Sequence, residues 1–126
     1  MKTIIDPKDQ ESVLTEWRGA KAAIWAFHIS LKRMAIILER KGEQHEFLYI
    51  IGRTCEHLSG PFRWDQANIT VITDPPNQWG EVRRHIVDKQ AAFELICSDV
   101  TIARGPGGPP RDPFENFFGD APRAVS

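Results

Sequence analysis

The strongest constraint on the fold of this chain is a set of short apolar, β-branched runs separated by turn-forming residues. Residues 47–51 (FLYII) and 69–72 (ITVI) are the clearest of these runs. Their length and composition are typical of buried strands, because helices need longer periodic segments. The segment between them holds a cysteine, a histidine, a Gly-Pro break and a tryptophan beside an aspartate. The sequence therefore predicts two strands that flank a polar connection.

The N-terminal region carries the signals of one helix. Asp6 is a suitable cap, and Pro7 suits the first helical position. Val13, Leu14 and Trp17 then fall on one face, and Gly19 is a plausible end. These features predict a helix of about twelve residues whose Trp17 side chain packs into the core.

Residues 21–40 change from helical to alternating periodicity. We predict two antiparallel strands joined by a turn near residues 30–33, with Met34, Ile36 and Leu38 on one face of the second strand. In the first strand, Trp25 and Phe27 share a face, and Trp25 is expected in the core. A continuous helix over residues 20–40 is the alternative, since the segment is rich in helix-forming residues. The density of isoleucine and aromatic residues favours strands.

The remaining strands are predicted from apolar segments between breakers. Residues 46–53 are predicted to form a strand in which Gly52 indicates a bulge or a close backbone approach. Residues 68–73 form another strand, which must stop before Pro75 and Pro76. Residues 82–87 fit an edge strand or a short helix. Residues 91–97 and 100–103 fit one bulged strand or two short ones.

Together these elements predict an α+β fold that is mostly β. It consists of the N-terminal helix and an antiparallel meander sheet of about five to seven strands. A sheet of this size either curls toward a barrel or splits into a sandwich, and the pattern does not distinguish the two. Residues 1–104 are predicted to form a single globular domain. Residues 105–126 begin with GPGGPP and are predicted to be a linker and a C-terminal tail.

Charge and hydropathy argue against nucleic acid and membrane partners. Sixteen basic and seventeen acidic residues give a net charge of -1. Proteins bind nucleic acids and anionic membranes through clustered Lys and Arg. The near-equal numbers of basic and acidic residues give no indication of such a cluster. The first residues lack the apolar stretch of a secretion signal, and no apolar run approaches the ~18 residues of a membrane span. We therefore expect a cytoplasmic protein with no nucleic acid and no membrane partner.

Cys55 and His57 form the most suggestive chemical cluster. On an extended segment, residues i and i+2 point to the same face, which suits a thiolate activated by an imidazole or two ligands of a soft metal ion. Neither the spacing to Cys97 nor that to the other histidines matches a metal motif, and no cofactor signature is present. We expect two reduced thiols, no metal and no cofactor.

Trp64, Asp65 and Trp79 lie in loops and complete the set of candidate ligand-binding residues with Cys55 and His57. An aromatic-lined pocket for a small molecule is the functional interpretation of the two tryptophans. Anchoring of long loops on the sheet is the structural interpretation.

The tail contains a second set of signals for the start of a helix, similar to those at Asp6 and Pro7. Asp112 suits the cap and Pro113 the first helical position, and Phe114, Phe117 and Phe118 then share one face. A helix this short is unstable alone, so the phenylalanines are predicted to dock on a protein partner or a sister subunit. A disordered terminus is the alternative.

These observations favour a non-catalytic binding or protein-interaction module, oligomeric through an edge strand or the tail. One alternative is a small-molecule carrier or sensor whose pocket is lined by Trp64 and Trp79. A second alternative is a thiol-dependent enzyme that uses Cys55 and His57.

Overall fold

A computed structural model describes residues 2–28, 32–40 and 46–106 of the chain. One helix, α1 (Pro7–Glu16), follows the short strand β1 (Lys2–Ile4). The other strands are β2 (Lys21–His28), β3 (Arg33–Arg40), β4 (Glu46–Arg53), β5 (His57–Ser59), β6 (Arg63–Trp64), β7 (Thr70–Thr73), β8 (Arg84–Asp88), β9 (Phe93–Cys97) and β10 (Asp99–Pro106).

The strands form two antiparallel sheets. The large sheet has the order β1-β10-β4-β3-β2-β6, and the small sheet has the order β5-β9-β8-β7. The predicted class, α+β and mostly β with an N-terminal helix, is confirmed. The antiparallel strands are divided between two sheets, and the described residues form ten strands because several short ones join the sheet edges.

Helix α1 forms as the sequence predicts. The Asp6 carboxylate accepts a hydrogen bond from the backbone N–H of Lys8 at 2.9 Å, and Pro7 occupies the first turn. Leu14 and Trp17 are buried, and the Arg40 guanidinium lies 4.4 Å above the centre of the Trp17 ring. The helix packs the N-terminal segment onto the core, as expected from Trp17.

The main core lies between the two sheets and under α1. We call it the inner cluster. From the large sheet it takes alternate residues of the central strands, such as Ile36, Ile50 and Ile102, and from the small sheet Ile86 and Leu95. The burial of Ile36 beside Met34 and Leu38 confirms the predicted face of β3.

The opposite face of the large sheet is also buried. We call its residues the outer cluster: Ala35, Ile37, Phe47, Tyr49, Ile51 and Ala103. Cross-strand pairs such as Ala35 with Ile51 and Ile37 with Tyr49 place them on one surface. Strands β3 and β4 are therefore apolar on both sides, which explains their continuous apolar sequences.

The prediction that Trp25 is a core residue is wrong. Its side chain is 40% exposed. The pairing of β2 with β3 shifts between Ile24 and Ala26, so Trp25 is the extra residue of a β-bulge. A bulge resets the alternation, and a regular period of two assigns the wrong face to the residues that follow it. The alternative of one helix over residues 20–40 is also wrong, since both segments are strands.

Three other segments differ from the prediction in detail. Residues 82–87, predicted as an edge strand or a short helix, contribute to β8. This strand lies between β7 and β9 and is not an edge strand. The segment 91–103 becomes two strands in different sheets, and β10 continues to Pro106, beyond the predicted domain end at residue 104. The long connection between β4 and β7 contains the short strands β5 and β6. The predicted turn near residues 30–33 lies partly outside the described residues.

Candidate functional site

An apolar cleft of about 260 Å³ lies where the large sheet meets the small sheet. Strands β2 and β3 form one side of this cleft, and β5, β9 and the loop before β6 form the other. Its lining residues are Ile24, Phe27, Met34, Cys55, Glu56, His57, Leu58, Phe62 and Leu95. The polar segment that the sequence singles out thus forms one wall of an apolar site.

The bulge in β2 and the Gly60 turn build the cleft. Because Trp25 is the extra residue, Ile24 and Phe27 line the same cleft although three positions separate them. Gly60 has φ +122°, and a Cβ there would lie 2.7 Å from the backbone carbonyl oxygen of Ala92. Only glycine fits this conformation and this approach. The turn brings the Phe62 carbonyl to the Ile24 backbone N–H, which donates to it at 2.8 Å.

The rim of the cleft is an exposed apolar patch. Phe62 is 76% exposed and Phe27 is 52% exposed, and Leu58 is also exposed. A cluster of exposed apolar side chains around a concavity is uncommon on a surface that only meets water, and it marks interaction sites. Sequence reasoning missed Phe27, Leu58 and Phe62, because their convergence depends on a bulge that the alternation pattern does not reveal.

The Cys55 thiol is partly buried and hydrogen-bonded to the backbone. Its Sγ donates to the Gly52 carbonyl oxygen at 3.4 Å, so the backbone and not the His57 imidazole is its partner. Burial raises the pKa of Cys55 to about 11. Burial also raises the pKa of Cys97 to about 12, with a further contribution from Cys55. A nucleophilic thiolate requires the opposite shift.

Both cysteines are free and approach the same glycine. A Cβ on Gly52 would lie 3.2 Å from the Sγ of Cys97 and 3.3 Å from the Sγ of Cys55. Gly52 pairs regularly with Met34 and Val100, so it does not mark a bulge, and the atoms that approach it closely belong to side chains and not to another backbone segment. Within residues 2–28, 32–40 and 46–106, no group of three or more His, Cys, Asp or Glu side chains has the arrangement of a metal site.

The other candidate residues are separated from the cleft. Trp64 stacks on Phe93 at 4.7 Å between ring centroids, and its Nε1–H donates to the buried Asp88 carboxylate at 2.8 Å. Asp65 is exposed in the turn after Trp64. Trp79 is 74% exposed in the loop before β8. The structure thus brings Cys55 and His57 together at the cleft, and it does not bring Trp64, Asp65 or Trp79 there.

The tail candidates Phe114, Phe117 and Phe118 lie outside the described residues. Among the helices of the described part of the chain, none has the length and apolar character needed to cross a membrane.

Comparison of this chain with known protein families, curated proteins and solved structures finds no match.

Proposed function

We propose that this protein is a non-catalytic interaction module that binds an extended segment of a protein partner at the apolar cleft. The observation that carries the proposal is the exposure of Phe27, Leu58 and Phe62 around an apolar concavity. Burying such side chains on a partner is favourable by about 25 cal/mol per Å² of apolar surface before the costs of association.

The size of the cleft favours a protein side chain over an enclosed small molecule. Small-molecule sites are usually about 300–1,000 Å³ and bury most of their ligand. This cleft is about 260 Å³, and its most prominent residues stand at the rim. A concavity of this kind fits one or two apolar side chains of a longer ligand, whose remaining contacts are made with the rim.

The edge of the large sheet offers backbone groups to the same ligand. Strand β6 pairs with β2 only at Ala22 and Ala23. In the described part of the chain, residues 25–27 of β2 have no strand on their outer side. An extended peptide can add to such an edge and place alternate side chains in an adjacent pocket.

The two alternative functions have less support. Trp64 and Trp79, the two residues expected to line the pocket of a small-molecule carrier, do not line the cleft, whose aromatic residues are Phe27 and Phe62. The raised pKa of Cys55 argues against a thiol enzyme, because little thiolate forms near neutral pH.

The proposal is tested with peptides selected from a random display library on the full chain. We expect selected sequences to share one or two large apolar residues. Their affinity should fall about tenfold or more for Phe62→Asp, since a buried contact becomes a charge in an apolar site. Trp79→Asp is the matched control, because Trp79 is equally exposed and lies away from the cleft.

Equal affinity of the selected peptides for wild type and Phe62→Asp would reject the cleft as the binding site. Failure to select any peptide, together with saturable binding of an apolar dye that Phe62→Asp abolishes, would favour the small-molecule alternative. Thermal unfolding of both variants checks that the substitutions leave the fold intact.

We also propose a cytoplasmic location. The two free thiols near Gly52 support it, because a reducing compartment keeps neighbouring thiols from forming a disulfide. Alkylation before and after denaturation, followed by mass spectrometry, tests the thiol state. An intramolecular disulfide in protein purified without reductant would contradict the proposal.

A further inference from the structure

Arg84 is a buried cation that has no carboxylate partner among the described residues. It lies on β8, faces the core and is 7% exposed. Its Nη2 donates to the Gln10 side-chain oxygen at 2.7 Å, and its Nη1 donates to the Val100 carbonyl at 3.5 Å. Both acceptors are neutral. The Nε–H has no hydrogen-bond partner, and no ion pair among the described residues includes Arg84.

A guanidinium in this state is unfavourable. Removal of a charge from water costs several kcal/mol unless an opposite charge and hydrogen bonds compensate for it. Gln10 is itself fully buried, and its amide donates to the carbonyls of Ile4 and Val100, so it can offer Arg84 only one neutral oxygen. Within the described part of the chain, the positive charge therefore has two neutral acceptors and no opposite charge to compensate for its burial.

Arg84 also lines a second cleft, which we call the cationic cleft. This cleft has a volume of about 250 Å³ and lies between α1 and the segment that leads into β7. Lys8 and Arg18 of the helix side line it as well, and Glu11 is the single acidic residue in its lining. Thr15 and Thr70 add hydroxyl groups. Three cations thus face one carboxylate, and the field in the cleft favours an anion.

We propose that the cationic cleft is a binding site for an anionic group, a carboxylate or a phosphate, on a small ligand. Arg84 forms the base of this site, and Lys8 and Arg18 form its rim. Arg suits both kinds of anion because its planar fork matches their oxygens. This site is separate from the apolar cleft, and it does not depend on the interaction proposed there.

The test is an NMR titration of the full chain with inorganic phosphate and, separately, with acetate, at constant ionic strength. Sodium chloride is the reference salt. We expect saturable shifts of the backbone amides of Thr15 and Thr70 with at least one of the two anions and not with chloride. A response to phosphate alone assigns a phosphate site, and a response to acetate alone assigns a carboxylate site.

Two double variants identify the residues responsible. Lys8→Gln with Arg18→Gln should weaken anion affinity about tenfold, since charge-assisted contacts are lost. Arg63→Gln with Lys89→Gln removes the same charge from exposed positions outside the cleft and should leave affinity unchanged. Arg84→Lys retains the charge but not the fork, and it should weaken binding without abolishing it.

Absence of a saturable shift with either anion would overturn the proposal. Equal weakening by both double variants would also overturn it, because the effect would then reflect net charge alone.

Discussion

The two sheets differ in how many of their faces are buried. In the small sheet, β8 and β9 alternate strictly between buried and partly exposed residues, so one face packs on the core and the other meets solvent. In the large sheet, β3 has five consecutive buried residues and β4 has six. Both sheets are antiparallel, so strand pairing does not explain the difference.

The contrast shows that the pattern of apolar residues in the strands indicates how many faces of a sheet are buried. A strand with one buried face alternates with a period of two, whereas a strand buried on both sides is continuously apolar. The small sheet needs only the large sheet and α1 as packing partners. The large sheet needs a further layer on its outer face, and its central strands contribute most of the fully buried residues.

The largest expected effect on stability comes from a substitution in the inner cluster. Trp17→Ala should destabilise the protein by about 3–5 kcal/mol and prevent folding at physiological temperature. Trp17 is fully buried under Arg40, and its removal leaves a cavity between α1 and the large sheet. Urea unfolding followed by circular dichroism measures the change.

Trp25→Ala is the control for Trp17→Ala. Because Trp25 is exposed at the bulge, its truncation should cost less than about 1 kcal/mol. Similar costs for the two substitutions would mean that Trp25 is buried in solution and that the bulge is misplaced.

A second substitution compares the outward faces of the two sheets directly. Ile51→Ala on the outer cluster should cost about 2–4 kcal/mol, because Ile51 is fully buried. Ile96→Ala on the solvent face of the small sheet should cost less than about 1 kcal/mol. Chemical denaturation of both variants provides the comparison.

Ile50→Ala serves as the reference for full burial, since Ile50 neighbours Ile51 and faces the inner cluster. Equal costs for Ile50→Ala and Ile51→Ala are expected, because both side chains are fully buried. A cost for Ile51→Ala as small as that for Ile96→Ala would show that the outer face is open in solution.

The sequence predicts most of the elements of this fold. The helix follows from Asp6, Pro7 and Trp17, and β4 follows from its apolar run. The division into two sheets does not follow, because it depends on the single residue Ser98 between β9 and β10, where the chain passes from one sheet to the other. The short strands β1, β5 and β6 escape prediction since two or three residues carry no periodic signal.

The candidate site is less predictable than the fold. The density of polar residues directs attention to the segment around Cys55 and His57, which lines the apolar cleft. The apolar residues that give the cleft its character come from four strands and a loop, and the bulge at Trp25 decides which of them converge. In the sequence, Arg84 is one of two adjacent arginines with no sign of burial, and only the structure of β8 shows that it is buried.

The third prediction concerns alkaline stability of the two-sided sheet. Burial raises the pKa of Tyr49 to about 12 from its usual 10.0. A group whose folded pKa is raised stabilises the fold fully below its unfolded pKa, and this contribution is lost as the pH rises toward the folded pKa. Stability should therefore fall above about pH 10, by about 1 kcal/mol at about pH 11 from Tyr49 alone.

Tyr49→Phe isolates this contribution, because it retains the ring and removes the titrating group. The variant should lose less stability than wild type between about pH 10 and pH 11 in urea unfolding. Cys55 and Cys97 also have raised pKa values, so both proteins should still lose some stability above about pH 9. Identical pH profiles for the two proteins would show that Tyr49 is not buried.

The smallest expected effect lies on the solvent face of the small sheet. His85 Nε2 is 2.7 Å from the Asp74 carboxylate, and its Nδ1 is 3.4 Å from that of Glu94. The hydrogen bond with Asp74 raises the pKa of His85 above its usual 6.5, and Glu94 contributes less. The stability gained from the charged imidazole is fully present below about pH 6.5 and is lost as the pH rises through the folded pKa.

Asp74→Asn should therefore lower the pKa of His85 more than Glu94→Gln does, as measured by NMR titration of the imidazole resonances. Asp65→Asn is the control, because Asp65 is an exposed carboxylate of another loop with no described contact to His85. The effect on global stability should be small, since exposed ion pairs usually contribute little. A His85 titration that is the same in wild type and Asp74→Asn would mean that the outward face of the small sheet carries no ordered ion pair.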